Sequence, residues 1–252
     1  MTDAHCHICD LMKFSNTIER KIPCATSACN MEDFIFHEKI AQKPPEIFFC
    51  FAIHPQLPAV MKDYSPTLME NLEILVKEIR IHAVGEVGFD LYNEMFRETS
   101  TLQDEIFKHH LEIALENSLP MVIHTRKAMH KIFSYTKDLK KLPSVIFHSY
   151  PGTVNEGFSL LRRGINAYFS FGNTILLGRK ETLRSCAILP LDRLLLETDA
   201  PYQNLRGTSF SHWGNLNEIL KALFHLREDF CGEIKELEII LDDNFYRAYR
   251  SR

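Results

Sequence analysis

The chain opens with Asp3-Ala4-His5-Cys6-His7, at the end of the short apolar stretch Met1–His7. If this stretch is a β-strand, the side chains of His5 and His7 point to the same face, because alternate residues of a strand share a face. Two imidazoles at the end of one strand can bind a single metal ion together. Two histidines at this spacing also occur by chance, so the interpretation depends on the rest of the chain.

Seven more short apolar runs follow, and their continuous apolar character is typical of parallel strands that are covered on the outer face. The eight runs are Met1–His7, Pro23–Ala28, Ile47–Ile53, Ile81–Val87, Met121–His124, Val145–His148, Ala167–Phe171 and Leu194–Thr198. Amphipathic segments between and after them predict helices over Met31–Gln42, Thr67–Arg80, Thr101–Asn117, Arg126–Leu139, Val154–Arg163, Lys180–Cys186, Asn215–Leu226 and Lys235–Tyr249. The first crossover, before Pro23, is short and has only a weak helical pattern.

Eight strand and helix units in 252 residues predict an α/β fold, a (β/α)8 TIM barrel in which residues 1–252 form a single domain. The alternative is an open, doubly wound sheet. Such a sheet usually carries a glycine-rich phosphate loop after a strand, and the sequence contains none. The barrel is therefore the favoured architecture.

The charge balance excludes binding of a polyanion through overall charge, since 29 basic residues face 33 acidic ones and the formal net charge is -4. A nucleic-acid substrate would have to be held by a local basic rim and by metal ions. No apolar run reaches the ~18–20 residues needed to span a bilayer, and the N-terminus lacks the apolar core of a signal peptide. We therefore expect a cytoplasmic protein with no membrane association, and we favour a monomer.

The seven cysteines form no repeated C-x-x-C pair of the kind found in zinc ribbons. Cys6 and Cys9 make a single such spacing, but Cys6 lies between the two histidines and should face the opposite side of the strand. We expect most of the cysteines to be small buried hydrophobic residues in a reducing compartment.

Four more potential metal ligands lie at the ends of their own apolar runs: Glu86, His124, His148 and Asp199. In a (β/α)8 barrel, functional side chains lie at the C-terminal ends of the strands. Taken singly, the two histidines could be core residues, and Asp199 could be a helix cap before Pro201. Together with His5 and His7 they indicate a metal site, because periodicity and side-chain chemistry independently place all six at one rim.

Six motifs at this rim form a recognisable set. They are Asp3-Ala4-His5-Cys6-His7, Ala52-Ile53-His54-Pro55, Gly85-Glu86-Val87-Gly88-Phe89-Asp90, Val122-Ile123-His124-Thr125-Arg126, Phe147-His148-Ser149-Tyr150-Pro151-Gly152 and Leu196-Glu197-Thr198-Asp199-Ala200-Pro201-Tyr202. The set resembles the TatD-type deoxyribonucleases, which are amidohydrolase-like metal-dependent hydrolases, and the resemblance extends from the first strand to the last. It implies a (β/α)8 barrel that hydrolyses phosphodiester bonds in DNA, in the manner of a 3'-5' exonuclease on single strands, with RNA as a second expected substrate.

The resemblance also implies two divalent metal ions per chain, and Mg, Mn and Zn all suit a mixed imidazole and carboxylate set. The implied ligands are His5, His7 and Asp199 for one ion, His124 and His148 for the other, and Glu86 as the bridge between them. Asp199 is also the expected general base toward a water whose pKa is lowered by the metal.

Substrate contacts are predicted from side-chain chemistry. Arg126 suits bidentate binding of a phosphate, with a structural salt bridge as the equal alternative. His54 is expected to contact the phosphate or the leaving group rather than a metal ion. Aromatic side chains that could stack on a nucleobase are Tyr150, Tyr202, Phe89 and Trp213.

The chain departs from the family pattern in two places. Lys127 follows the His124 motif where the family usually has an acidic residue, and this adds a positive charge near the mouth of the barrel. Arg206 and Gly207 are present in the loop after the last strand, but 208–212 lacks the Asn-x-Pro element that usually follows. The first departure bears on substrate preference, and the second on the substrate-binding loop.

Two other functions are compatible with such a barrel, because a fold does not determine a function. The first is hydrolysis of a small ester, amide, lactone or phosphotriester at the same metal site. The second is a binding protein without catalysis, which predicts at least one damaged ligand position. All six predicted ligands are intact, so this second alternative ranks last.

Overall fold

A computed structural model describes residues 1–14, 21–42, 44–60, 66–227 and 229–250 of the chain. Over these residues a single sheet of eight parallel strands runs in chain order. The strands are β1 (Asp3–Cys6), β2 (Cys24–Ala28), β3 (Ile47–Phe51), β4 (Ala83–Asp90), β5 (Met121–Arg126), β6 (Val145–Phe147), β7 (Ala167–Phe171) and β8 (Leu194–Leu196). The predicted TIM barrel is confirmed.

Helices connect the strands and cover the outer face of the sheet. They are α1 (Ile8–Phe14), α2 (Met31–Ala41), α3 (Leu57–Val60), α4 (Pro66–Lys77), α5 (Glu94–Glu98), α6 (Ser100–Glu116), α7 (Met129–Ser134), α8 (Thr136–Leu139), α9 (Val154–Arg162), α10 (Lys180–Ile188), α11 (Asn215–Leu226) and α12 (Ile234–Tyr249). Within the described ranges, no helix has both the length and the apolar character needed to cross a bilayer.

Contacts between β1 and β8 bring the two edges of the sheet together. The amide of Asp199 donates to the carbonyl of His5 at 2.9 Å, and the amide of His7 donates to Ala200 at 2.7 Å. Buried Asp3 accepts from both the amide and the hydroxyl of Thr198, at 2.9 Å and 2.6 Å. These bonds place the two histidines of the first strand beside Asp199.

The barrel interior is filled by side chains from every strand, including Ala4, Ala25, Phe48, Ala83, Val122, Ile146, Tyr168 and Leu195. The C-terminal helix α12 packs under this layer, with the rings of Phe245 and Phe48 5.1 Å apart. The hydroxyl of Tyr249 donates to the carbonyl of Ala4 at 2.7 Å. Because α12 closes the N-terminal end of the barrel, the opposite rim is left for a functional site.

Two of the predicted connections differ from the structure. The helix predicted over Arg126–Leu139 is wrong at its start, since Arg126 still belongs to β5 and pairs with Asp90 of β4. Lys127 then takes a left-handed backbone conformation with φ 56°, and the segment continues as the two short helices α7 and α8. The first crossover contains a helix, α1, despite its weak pattern.

Candidate metal centre

The carboxylate of Glu86, on β4, lies at the centre of a cluster of imidazoles at the C-terminal rim of the barrel. Its Oε1 lies 2.6 Å from Nδ1 of His124 and 3.2 Å from Nε2 of both His148 and His54. Its Oε2 lies 3.2 Å from Nε2 of His5. One buried carboxylate therefore faces side chains that project from β1, β5, the end of β3 and the end of β6.

The histidines of the first strand form the second half of the cluster. Nε2 of His5 and Nε2 of His7 are 3.1 Å apart, as expected for two residues that share one face. Oδ1 of Asp199 lies 3.7 Å from the first nitrogen and 3.5 Å from the second. Oε2 of Glu86 lies 3.4 Å from His7, so both carboxylates face the same pair of imidazoles.

The local backbone of β4 aims Glu86 into the barrel. Gly85 is opposite Val122 and Val87 is opposite Ile123, so Glu86 is an extra residue at an irregularity of the β-bulge kind. A bulge re-aims the side chain that it carries. Gly88 follows at φ 153°, where a Cβ atom would collide with the carbonyl oxygen of His124.

Two further carboxylates stand behind the imidazoles. Oε1 of buried Glu197 lies 3.2 Å from Nδ1 of His148, and Oδ2 of buried Asp90 lies 3.3 Å from Nε2 of His124. Carboxylates in this position fix the orientation of a metal-binding imidazole and raise its basicity. The sequence analysis gave neither carboxylate a role at the site. Asp90 also stabilises the turn after β4, since it accepts from the amide of Tyr92 at 2.9 Å.

The charges of the cluster shift one another's pKa values. Burial raises the pKa of Asp199, but His148, His7 and His5 outweigh burial and lower it to about 2. Burial also lowers the pKa of His7, yet hydrogen bonds and attraction from Asp199 and Glu86 raise it to about 10. The centre thus concentrates negative charge that protons or a divalent cation must neutralise.

The donor set fits a divalent metal ion. Three groups of residues could each hold an ion, because the ligand atoms inside each group all lie within 4.8 Å of one another. The groups are His5, Glu86 and His148; His5, His7 and Asp199; and His54, Glu86 and His124. Imidazole nitrogen and carboxylate oxygen are the ligands of zinc and related ions. All six predicted ligands take part in these groups, so the structure brings together every residue of the predicted set.

A cavity of about 580 Å³ opens above the cluster and is lined by Arg126, Arg179 and Tyr202 among others. The ring of Tyr202 is 49% exposed, and its hydroxyl donates to Asp10 at 2.8 Å. The predicted substrate residues Arg126 and Tyr202 are therefore at the mouth of the site, and each has a face that a ligand can reach.

The prediction that Tyr150 or Phe89 stacks on a base disagrees with their positions. Tyr150 is 1% exposed, packs against Phe169 with ring centroids 4.7 Å apart, and donates its hydroxyl to the carbonyl of Thr153 at 2.9 Å. Phe89 is fully buried in the same hydrophobic cluster. Neither ring is exposed to a substrate, because both are packed in the hydrophobic core. Trp213, which was also predicted to stack on a base, is buried as well.

His54 lies in the cluster with a defined tautomer. The amide of Gln56 donates to Nδ1 of His54 at 3.3 Å, which leaves the proton of the neutral ring on Nε2, the nitrogen that faces Glu86. Burial lowers the pKa of this imidazole, against the attraction of Glu86. In this tautomer Nε2 can donate a hydrogen bond, but it has no free lone pair for a metal ion.

Gln203 is another residue that sequence reasoning missed. Its amide nitrogen donates to Oδ2 of Asp199 at 2.7 Å and also bonds the hydroxyl of Ser149. Ser149 in turn donates to Glu197 through its amide at 2.8 Å and its hydroxyl at 2.5 Å. A chain of hydrogen bonds therefore links Asp199 to the carboxylate behind His148.

Comparison with known families decides the relationship of this chain. A family model described as TatD related DNase matches residues 2–250. The chain belongs to this family. Its relatives include the metal-dependent hydrolase YcfH of Escherichia coli, 26% identical over 99% of this chain and 95% of the relative. They also include the 3'-5' ssDNA/RNA exonuclease TatD of Cronobacter sakazakii, 34% identical over 60% of this chain and 56% of that one.

Solved structures of TatD homologues share the fold. The Escherichia coli homologue YjjV superposes with a TM-score of 0.81 at 22% identity, over 99% of this chain and 97% of that one. A TatD family hydrolase of Entamoeba histolytica gives 0.78 at 17% identity, over 100% and 98% of the two chains. The protein is thus a TatD-family metal-dependent hydrolase with a TIM barrel.

Proposed function

We propose that this protein is a divalent-metal-dependent nuclease that hydrolyses phosphodiester bonds in single-stranded DNA or RNA from the 3' end. The observation that carries the proposal is the position of Glu86, whose two oxygens face imidazoles from both halves of the cluster, below a cavity lined by arginine. The name of the Cronobacter sakazakii relative supports the choice of substrate.

Two metal ions are proposed: His5, His7 and Asp199 would hold one, His124 and His148 would hold the other, and Glu86 would contribute to both. Mg, Mn and Zn are the proposed identities. A bound divalent ion supplies Lewis acidity, which lowers the pKa of water and stabilises charge on phosphoryl oxygens.

Asp199 is the proposed general base. It is ionised at neutral pH because the surrounding histidines lower its pKa to about 2 against the effect of burial. Gln203 holds its Oδ2 at 2.7 Å, which fixes the carboxylate with Oδ1 toward His5 and His7. In this orientation the carboxylate takes a proton from the attacking water as the water oxygen bonds to phosphorus.

His54 is the proposed donor to the leaving group. Its proton lies on Nε2, since Nδ1 accepts from the amide of Gln56. As the bond between phosphorus and the leaving oxygen breaks, this N–H can donate a hydrogen bond to that oxygen and stabilise its negative charge, while the proton that completes the leaving group comes from solvent. His54 would then act on the substrate rather than as a metal ligand, although its Nε2 lies within 3.2 Å of Glu86.

Arg126 and Tyr202 are proposed to bind the substrate at the mouth of the cavity. The guanidinium of Arg126 can donate two hydrogen bonds to the oxygens of a phosphate. The half-exposed ring of Tyr202 can stack on a base, as aromatic residues do in proteins that bind single strands.

The decisive experiment follows hydrolysis of single-stranded DNA with added Mg, Mn or Zn, using separate substrates labelled at the 5' and the 3' end. We expect metal-dependent shortening from the 3' end by the unmodified protein. Asp199→Asn should lower kcat by at least about 100-fold, because a general base contributes roughly that much. The matched control is Asp138→Asn, which changes an exposed carboxylate paired with Lys141 and should leave the rate unchanged.

Two other outcomes would change the proposed substrate class or the proposed direction of cleavage. If metal-loaded protein leaves DNA and RNA intact but hydrolyses an ester or a phosphotriester, the small-molecule hydrolase becomes the function. Shortening from the 5' end would retain the chemistry and reverse the proposed polarity.

A further inference from the structure

Two cations share one tyrosine ring beside the mouth of the cavity. The guanidinium carbon of Arg126 lies 3.6 Å from the centroid of the Tyr92 ring, and the ammonium of Lys127 lies 4.7 Å from the same centroid. Tyr92 is 46% exposed, so this ring holds both cations at the protein surface. Cations at such distances are attracted by the negative face of an aromatic ring.

The backbone brings the two cations together. Neighbouring residues of a strand point to opposite faces, so a longer β5 would separate their side chains. Lys127 instead has φ 56°, a left-handed conformation that is uncommon for a residue with a side chain. Its ammonium also lies 3.5 Å from the carbonyl oxygen of Tyr92, to which it donates. The turn after β5 therefore directs Arg126 and Lys127 to one ring.

The ring is fixed relative to the metal centre. The amide of Tyr92 donates to Oδ1 of Asp90 at 2.9 Å, while Oδ2 of Asp90 lies 3.3 Å from Nε2 of His124. The amide of Leu91 donates to the carbonyl of Arg126 at 2.9 Å. One buried carboxylate thus positions both the ring that holds the cations and an imidazole of the candidate metal centre.

Neither cation is neutralised by a carboxylate within the described part of the chain, where no acidic oxygen lies at ion-pair distance from Arg126 or Lys127. Lys131 provides the contrast, since its ammonium lies 3.5 Å from Asp104. Two adjacent positive charges without a counter-charge repel each other, and an anion bound between them relieves that repulsion. The cluster stands out in a chain of formal net charge -4.

We propose that Tyr92, Arg126 and Lys127 form a subsite for a second backbone phosphate of a single-stranded polynucleotide. The inference rests on the proposed nuclease function and specifies its substrate. Arg126 lines the cavity above the metal centre, whereas Lys127 lies outside that lining. The phosphate at Lys127 therefore belongs to a nucleotide beyond the scissile bond. A small ester or an isolated phosphodiester has no such group, so the subsite selects polymers.

Comparison of two substrates tests the subsite in the metal-loaded protein. One is a single-stranded oligonucleotide, and the other is bis-para-nitrophenyl phosphate, which has one phosphodiester and no second phosphate. Lys127→Gln removes the charge, Tyr92→Leu removes the ring, and Tyr92→Phe keeps it. The matched control Lys141→Gln makes the same change in net charge at an exposed lysine, which precedes β6 at the opposite end of the barrel.

For the oligonucleotide we expect Lys127→Gln and Tyr92→Leu to raise KM about threefold to tenfold with kcat little changed. Tyr92→Phe, which keeps the ring, should restore most of the affinity that Tyr92→Leu loses, and Lys141→Gln should behave like the unmodified protein. Oligonucleotide binding is measured by fluorescence anisotropy in an Asp199→Asn background at several salt concentrations. The slope of log K against log salt concentration should become shallower by about 0.7 in Lys127→Gln, which corresponds to the loss of one phosphate contact. Kinetics on bis-para-nitrophenyl phosphate should not change in Lys127→Gln.

The outcomes separate the subsite from the nuclease. If both substrates are cleaved and KM for the oligonucleotide is the same in Lys127→Gln, Tyr92→Leu and the unmodified protein, the subsite is overturned and the nuclease function is retained. An equal rise of KM on both substrates also overturns it, because the cation would then act on the scissile phosphate. Failure of the unmodified protein to cleave or bind the oligonucleotide overturns both proposals.

Discussion

At the scale of single residues, the candidate metal centre depends on side chains that are not ligands themselves. Nδ1 of His148 faces Oε1 of Glu197 at 3.2 Å, which leaves Nε2 for Glu86 or a metal ion. A carboxylate in this position fixes the ring and increases its basicity. Glu197 also accepts two hydrogen bonds from Ser149, so its own position is determined.

We predict that Glu197→Gln weakens metal binding by about 10- to 100-fold, the usual effect of losing such a partner. Glutamine keeps an acceptor for Ser149, so the fold should persist while the charge is lost. The measurement is a competition titration with a chelating dye, and Glu181→Gln is the control because Glu181 is an exposed glutamate beside Arg184. Equal metal affinity of Glu197→Gln and unmodified protein would rule out this role.

The sequence is informative about the six predicted ligands and less so about their supports. As polar residues at the ends of apolar runs, the six stand out in the sequence: His5, His7, Glu86, His124, His148 and Asp199. Gln203 and Ser149 lie in loops, and their contact with Asp199 and Glu197 depends on how the loops after β6 and β8 meet. Tyr150 was misassigned because proximity in sequence to His148 does not show on which side of the strand end a ring lies.

At the scale of secondary structure elements, β4 differs from its predicted form in its end and in the regularity of its pairing. The strand was predicted to end at Val87, but it continues to Asp90 and pairs with β5 up to Arg126. The irregular pairing at Glu86 could not be predicted, because hydrophobic patterns do not reveal an extra residue in a strand. A similar irregularity between Asp3 and Cys6 occurs in β1, the strand that carries His5.

We predict that Gly88→Ala destabilises the protein by about 2–4 kcal/mol, since it combines backbone strain with a collision in a packed strand pair. The new Cβ would meet the carbonyl of His124. Gly164→Ala is the matched control, because Gly164 has φ 82° but no heavy atom within 4 Å of the added Cβ. Gly164→Ala should lower the free energy of unfolding by only about 1 kcal/mol. Urea unfolding measures both variants, and equal losses of free energy of unfolding would contradict the packing argument.

At the scale of the whole molecule, the candidate metal centre connects strands that are distant in sequence. Its side chains come from β1, β4 and β5 and from the ends of β3, β6 and β8, so a bound ion would join most of the barrel. The barrel itself follows from eight apolar runs in a regular order. The tight seam between β1 and β8 does not, because it depends on the fit of Asp3 to Thr198 across 195 positions of sequence.

We predict that chelation lowers the melting temperature by roughly 10 °C when the metal is present at about 1,000 times its Kd, since binding then contributes about 4 kcal/mol.

The difference in melting temperature between the metal-loaded and the metal-free protein should grow as the pH rises from 6.5. Asp199 and Glu86 raise the pKa of His7 to about 10 although burial opposes them. Protonated His7 therefore stabilises the metal-free protein fully below pH 6.5, and this contribution is lost as the pH approaches 10. The metal replaces the proton, so the loaded protein escapes that loss. Scanning calorimetry of both forms across this pH range measures the effect. In His7→Gln the difference in melting temperature should depend less on pH. If the difference in the unmodified protein shrinks toward high pH, carboxylate repulsion does not govern this centre.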